Sequence, residues 1–245
     1  MALDHLAHLR RDGARFAELA RSGDPSARVP CCPDWAFADL VGHLGGVHRV
    51  QRQRILSGTA ERTDVVRPTP PSDGLADWYD EGLAALVDAI ETTDPARPAW
   101  NWSAHEPKTA AFWPRRMAQE TAVHRWDAES SVADTTPIDP ELAADGVDEW
   151  LAVHLDSDIQ DPDTEPPPPD TGTLHLHCTD TPGEWWAALT GRDLTVVREH
   201  RKADVAARGR AEDLLLVCWR RRPTSAVEVL GDAAVLDRWL DLSEG

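Results

Sequence analysis

The sequence predicts an α+β protein of two domains, in which a helical N-terminal domain precedes a smaller domain of mixed strands and helices. Apolar residues recur at intervals of three and four over the first 155 residues, which is typical of amphipathic helices. After residue 173, apolar and polar residues alternate as in strands. The acidic segment between them contains the proline run Pro166–Pro169 and too few apolar residues to form a core. We therefore expect domains at 1–155 and 173–245, joined by a linker at 156–172.

Five helices are expected in the N-terminal domain. The first has one apolar stripe that includes Leu6, Leu9 and Phe16, and it ends at the Ser-Gly-Asp-Pro sequence of residues 22–25. The second begins near Ala36, a residue that cannot cap a helix with its side chain. The others are expected at about 75–90, 109–131 and 139–155. Long helices joined by loops are typical of a helix bundle.

The C-terminal domain is expected to contain a sheet. Its first strand is predicted at 174–178, where His175 and His177 alternate with apolar residues and therefore face one side of the sheet. Without a third ligand in the sequence, these two histidines are interpreted as structural or solvated. Further strands are expected at 185–189, 194–198, 205–208 and 226–230, with helices at 211–220 and after 232.

Composition excludes several classes of function. The formal charge is -18, and an acidic surface repels nucleic-acid phosphates and anionic lipids, so neither nucleic acid nor membrane is an expected partner. The sequence contains no run of about 18 apolar residues that could span a membrane. Residues 1–11 are amphipathic and lack the apolar stretch of a signal peptide, so a signal peptide is not expected. The four cysteines lack metal-ligand spacing and are expected to be reduced, which favours a cytoplasmic location.

The fourth helix contains the most informative pattern. Glu120 and His124 are one turn apart and Asp127 lies on the same edge, so Glu120 and His124 could bind one divalent metal. On the second helix, His43 shares the apolar face, whereas His48 is expected to face solvent. The spacing alone leaves an alternative open, because a salt-bridged helix and a buried core histidine have the same pattern.

Two segments resemble a known family. The sequences Cys-Pro-Asp-Trp (32–35) and Asp-Leu-Val-Gly-His-Leu (39–44), together with Arg-x-x-x-Glu-x-x-x-His-x-x-Asp (116–127), resemble motifs of the mycothiol-dependent maleylpyruvate isomerase family. The stretches 172–177 and 214–232 are similar to the family's second domain. The resemblance implies a DinB-like four-helix bundle followed by a sterol-carrier-like α+β domain.

The resemblance also implies a function. His43, Glu120 and His124 would bind a divalent metal, most often zinc, and the thiol mycothiol would be the cofactor. Its thiolate would act on a small electrophile, as an isomerase or as an S-transferase. Arg221 would bind a substrate carboxylate, and Asp127 would hold the ring of His124.

Alternatives remain at each of these points. Arg221 could be a solvated cation at a helix end, and Asp127 could lie at the surface. Fold does not determine function, so a metal-dependent hydrolase and a non-catalytic binding or regulatory protein remain alternatives to the thiol-dependent enzyme.

Overall fold

The structure is a computed structural model that describes residues 3–243, and it has the α+β architecture expected from the sequence. The chain divides into two compact units. The first contains residues up to Asn101 together with Glu106–Ile138, and the second contains Trp102–His105 and the residues from Asp139 onward. Among the described residues, none of the helices combines the length and the apolar character needed to cross a bilayer.

The first unit is built on four helices: α1 (His5–Ser22), α2 (Phe37–Ser57), α3 (Leu75–Thr92) and α4 (Trp113–Val132). Helix α2 packs against α3 and α4, and α1 packs against the same two helices. The four helices predicted up to residue 131 are thus present. A short hairpin of β1 (Arg28–Val29) and β2 (Cys32–Ala36), which the sequence analysis did not predict, precedes α2.

The start of α2 shows how the missing cap is replaced. Ala36 offers no side-chain acceptor, but the carboxylate of Asp39 accepts a hydrogen bond from the backbone N–H of Ala36 at 2.9 Å. This bond is one half of a capping box, and it fixes the first turn of α2. The apolar stripe of the helix, including Leu40 and Leu44, is then completely buried in the bundle.

The second unit contains a five-stranded sheet. Its strands are β3 (Leu174–Cys178), β4 (Glu184–Thr190), β5 (Asp193–Val197), β6 (Val205–Gly209) and β7 (Glu228–Gly231), in the spatial order β5-β4-β3-β6-β7. Strands β3 and β6 are parallel, and the other neighbours are antiparallel. The sequence predicted all five strands. The unit also contains four helices: α5 (Pro140–Glu149), α6 (Asp156–Gln160), α7 (Ala211–Cys218) and α8 (Ala233–Leu240).

The boundary between the units differs from the expected one. Helix α5 was assigned to the N-terminal domain, but it packs against α7 and belongs to the second unit. A π-helical segment, Trp150–Leu155, connects it to α6. The acidic segment that follows is held within the same unit, because the guanidinium of Arg192 donates to the carbonyls of Asp161 and Thr164 at 2.9 and 2.6 Å.

Candidate metal centre

Helices α2 and α4 bring three potential ligands together. His43 lies on α2, and Glu120 and His124 lie one turn apart on α4. One side-chain ligand atom from each residue lies within 4.8 Å of the others. Glu120 Oε1 is 3.7 Å from His43 Nε2 and 3.4 Å from His124 Nε2. The two imidazoles thus face the same carboxylate oxygen, as a shared metal ion would require.

Asp127 holds the ring of His124. Its Oδ2 is 2.9 Å from His124 Nδ1, and its side chain is completely buried. A carboxylate can only accept here, so Nδ1 bears the proton and Nε2 points toward Glu120. The thiol of Cys31 donates to the other oxygen of Asp127 at 3.1 Å. The sequence analysis overlooked Cys31, and no spacing in the sequence connects it to Asp127.

Arg116 fixes the other side of Glu120. Its guanidinium, 4% exposed, donates to Glu120 Oε2 at 2.8 Å. Burial by itself would raise the pKa of Glu120, but hydrogen bonds from His124 and His43 and the charge of Arg116 lower that pKa well below its usual value. Glu120 is therefore ionised, and its Oε1 faces the two imidazoles.

The two histidines have opposite electrostatic environments. Burial lowers the pKa of His43 more than the neighbouring Glu120 carboxylate raises it. Burial also opposes protonation of His124, but its hydrogen bonds to Asp127 and Glu120 outweigh that effect and raise its pKa to about 9. In the metal-free protein, the cluster thus contains one anion, one imidazolium and one neutral imidazole. A divalent cation bound between these side chains would displace the Nε2 proton of His124.

A cleft of about 440 Å³ opens beside His43 and is lined by residues from α2 and from the loop before α3. Arg67, from this loop, donates to the carbonyl of His43 at 2.7 Å. The guanidinium of Arg67 lies against Gly46, where a Cβ would be 2.8 Å from Arg67 Nε and would make the arginine side chain shift. The indole of Trp35 packs against His43 with 4.8 Å between ring centroids. Arg67 was not among the predicted site residues.

Family comparison gives two matches that together span most of the chain. The sequence model described as the mycothiol maleylpyruvate isomerase N-terminal domain matches residues 6–129, and the MDMPI C-terminal domain model matches residues 141–238. The chain belongs to the mycothiol-dependent maleylpyruvate isomerase family. It is therefore a member of an enzyme family, as the motifs around His43 and Glu120 suggested.

A solved relative has the same fold. The crystal structure of a histidine-to-alanine mutant of the mycothiol-dependent maleylpyruvate isomerase matches with a TM-score of 0.58 and 13% identity, over 92% of this chain and 91% of that chain. This likeness supports the two-part fold of the family. Comparison with curated proteins gave no significant match.

The predictions for His48 and for Arg221 have different outcomes. The expectation that His48 faces solvent is wrong, because α3 and α4 both cover α2 and leave His48 completely buried. Its Nε2 lies 3.1 Å from Thr121 Oγ1, and burial lowers its pKa to about 3. Arg221 lies in the second unit just after α7, and its guanidinium donates to the carbonyl of Trp219 at 2.7 Å. Its role toward substrate stays a prediction.

Proposed function

We propose that this protein is a divalent-metal- and mycothiol-dependent isomerase of a small carboxylate-bearing alkene such as maleylpyruvate. The observation that supports the proposal is the convergence of His43, Glu120 and His124 within 4.8 Å in a member of this family. Two imidazoles and one carboxylate form a donor set that suits zinc, and three protein ligands leave a position open for an exogenous ligand. We therefore propose zinc as the metal.

When bound, the metal lowers the pKa of a coordinated thiol, and a thiolate can add reversibly to an activated double bond, so that rotation followed by elimination exchanges cis and trans isomers. The protein residues orient the donor atoms for this chemistry. Asp127 keeps a proton of His124 on Nδ1, and Arg116 binds Oε2 of Glu120, so that Oε1 is directed toward the imidazoles. We infer that Asp127 acts through His124 as a positioning residue.

The cleft beside His43 is the proposed place for the substrate. Its volume of about 440 Å³ lies within the usual range for small-molecule sites, about 300–1,000 Å³. Arg67 supplies a guanidinium at its edge, which can bind a carboxylate. Arg221 remains our second candidate for binding a substrate carboxylate, as the family resemblance implies.

The same donor set would serve an S-transferase, in which the thiolate stays attached to the electrophile. The fate of mycothiol separates the two reactions, since an isomerase regenerates the thiol and a transferase consumes one equivalent per turnover. We also propose the cytoplasm as the compartment, because Cys31, Cys32, Cys178 and Cys218 are thiols and not disulfides.

The experiment is an activity assay of zinc-loaded protein on maleylpyruvate, with and without mycothiol. We expect turnover only when both are present, no net loss of thiol, and a loss of at least about 10²-fold in kcat/KM for His43→Gln. His105→Gln, which replaces an exposed histidine outside the cluster, is the matched control and should retain activity. Turnover that is indifferent to mycothiol would indicate a hydrolase. Tight zinc binding without turnover of any tested electrophile would indicate a binding protein.

A further inference from the structure

Strands β3 and β4 place two histidines and a glutamate on one face of the second unit's sheet. In the antiparallel register, His177 pairs with Glu184, and His175 pairs with Trp186. Directly paired residues have side chains on the same face, and alternate residues of one strand share that face. His175, His177 and Glu184 are therefore neighbours by strand register. His200, which follows β5, completes the group.

These four side chains converge as closely as the three on α2 and α4. One ligand atom from each lies within 4.8 Å of all the others. Glu184 Oε1 forms a short contact with His177 Nδ1 and lies 3.4 Å from His200 Nδ1. The ring of His175 is edge-on to that of His200, with 4.9 Å between centroids. This group is called the sheet cluster below.

One ring nitrogen of the sheet cluster is buried without a hydrogen-bond partner. His175 is only 4% exposed, and its Nε2 is buried without a hydrogen-bond partner. Burying a polar nitrogen without a partner is costly, so such an atom calls for a ligand or an ordered water.

We propose that His175, His177, Glu184 and His200 bind a zinc ion in the second unit, separate from the centre on α2 and α4. Three imidazoles and a carboxylate suit zinc and similar transition metals and do not suit calcium or magnesium. Four protein ligands complete a tetrahedral shell, which is the arrangement of a structural site. The ion would fasten the segment after β5 to β3 and β4.

The proposal is independent of the proposed function, and zinc titration in a His43→Gln background keeps the two separate. With the first centre disabled, we expect the protein still to bind one equivalent of zinc and to gain thermal stability on binding. Adding His200→Ala should weaken that binding at least tenfold and abolish the gain. His200 suits this test because its side chain is 73% exposed, so its removal leaves the core intact.

The matched control adds His105→Ala to the same background, since His105 is an exposed histidine of the second unit outside the sheet cluster. It should bind zinc like the background protein. If the His200 variant proves unstable, His177→Gln gives the same test. Two results would overturn the proposal: no stoichiometric zinc in the His43→Gln protein, or equal zinc affinity with and without His200.

Discussion

At the scale of single residues, the two carboxylate oxygens of Glu120 have different partners. Arg116 binds Oε2, and Oε1 faces the imidazoles of His43 and His124. Asp127 determines which nitrogen of His124 is free to bind a metal. The proposed ligands are thus His43 Nε2, Glu120 Oε1 and His124 Nε2. Metal binding at His43 Nε2 would place that ring's proton on Nδ1. The 3.3 Å contact between the Arg67 guanidinium and Nδ1 would then be lost, and the bond from Arg67 to the His43 carbonyl would remain.

Asp127→Asn tests the positioning role. The variant keeps the volume of the side chain but removes the charge that orients His124, so we expect zinc affinity at the α2–α4 centre to fall about 10–100-fold. Competition with a chromophoric chelator, in a His200→Ala background that disables the sheet cluster, measures this affinity. Asp134→Asn is the control, because Asp134 is an exposed acid just after the same helix. Unchanged affinity in Asp127→Asn would contradict the role.

His48 predicts a pH dependence of stability. An unfolded histidine titrates near 6.5, whereas the pKa of buried His48 is about 3. Between these values the unfolded chain binds the extra proton, so the free energy of unfolding falls as the pH falls from 6.5 toward 3, by up to about 1.4 kcal/mol per pH unit. His48→Gln should reduce this slope in urea unfolding between pH 6 and 4. An identical slope in both proteins would contradict the buried neutral state.

Sequence reasoning reached some of these residues and missed others for a physical reason. The one-turn spacing of Glu120 and His124 and the apolar face shared by His43 are local features of a helix, and they can be read from the chain. The burial and contacts of His48, Cys31 and Arg67 depend on which helix or loop packs against them, and the local sequence does not show this. Both α3 and α4 pack against α2, so a side chain that points away from His43 can also be buried in the bundle.

At the scale of elements, α1 and α4 are joined by a buried ionic network. Arg125 donates to Glu129 at 2.8 Å, and both side chains are almost completely buried. Arg15 on α1 donates to the same carboxylate at 2.9 Å. Glu129 thus pairs with a buried guanidinium, which Asp12 also contacts at 3.5 Å, and connects two helices. A charge of this kind is costly when its partner is removed.

Glu129→Ala should therefore destabilise the protein by about 3 kcal/mol, because it removes the nearer carboxylate from buried Arg125, whose remaining ionic partner is Asp12 at 3.5 Å. Urea unfolding at neutral pH measures the loss. Glu18→Ala removes an exposed acid that also pairs with Arg15, and this control should cost no more than about 1 kcal/mol. A loss of similar size in both variants would show that the buried pair has no special role.

At the scale of the whole molecule, the apolar periodicity predicted the strands and helices better than composition predicted the limits of the compact units. The proline run suggested a linker because it contains few apolar residues, but Arg192 holds the acidic segment before it with backbone hydrogen bonds that composition does not reveal. Helix α5 looked like another bundle helix because an apolar stripe does not identify its packing partner. Likewise, strand alternation placed His175 and His177 on one face, whereas the register that adds Glu184 is not visible in the sequence.

The most direct test of the central claim is a crystal structure of the zinc-loaded protein with anomalous diffraction measured at the zinc edge. The account predicts an anomalous peak about 2.0–2.2 Å from His43 Nε2, Glu120 Oε1 and His124 Nε2, with Asp127 still bound to His124 Nδ1. A zinc-loaded crystal without a peak between these three side chains would contradict it.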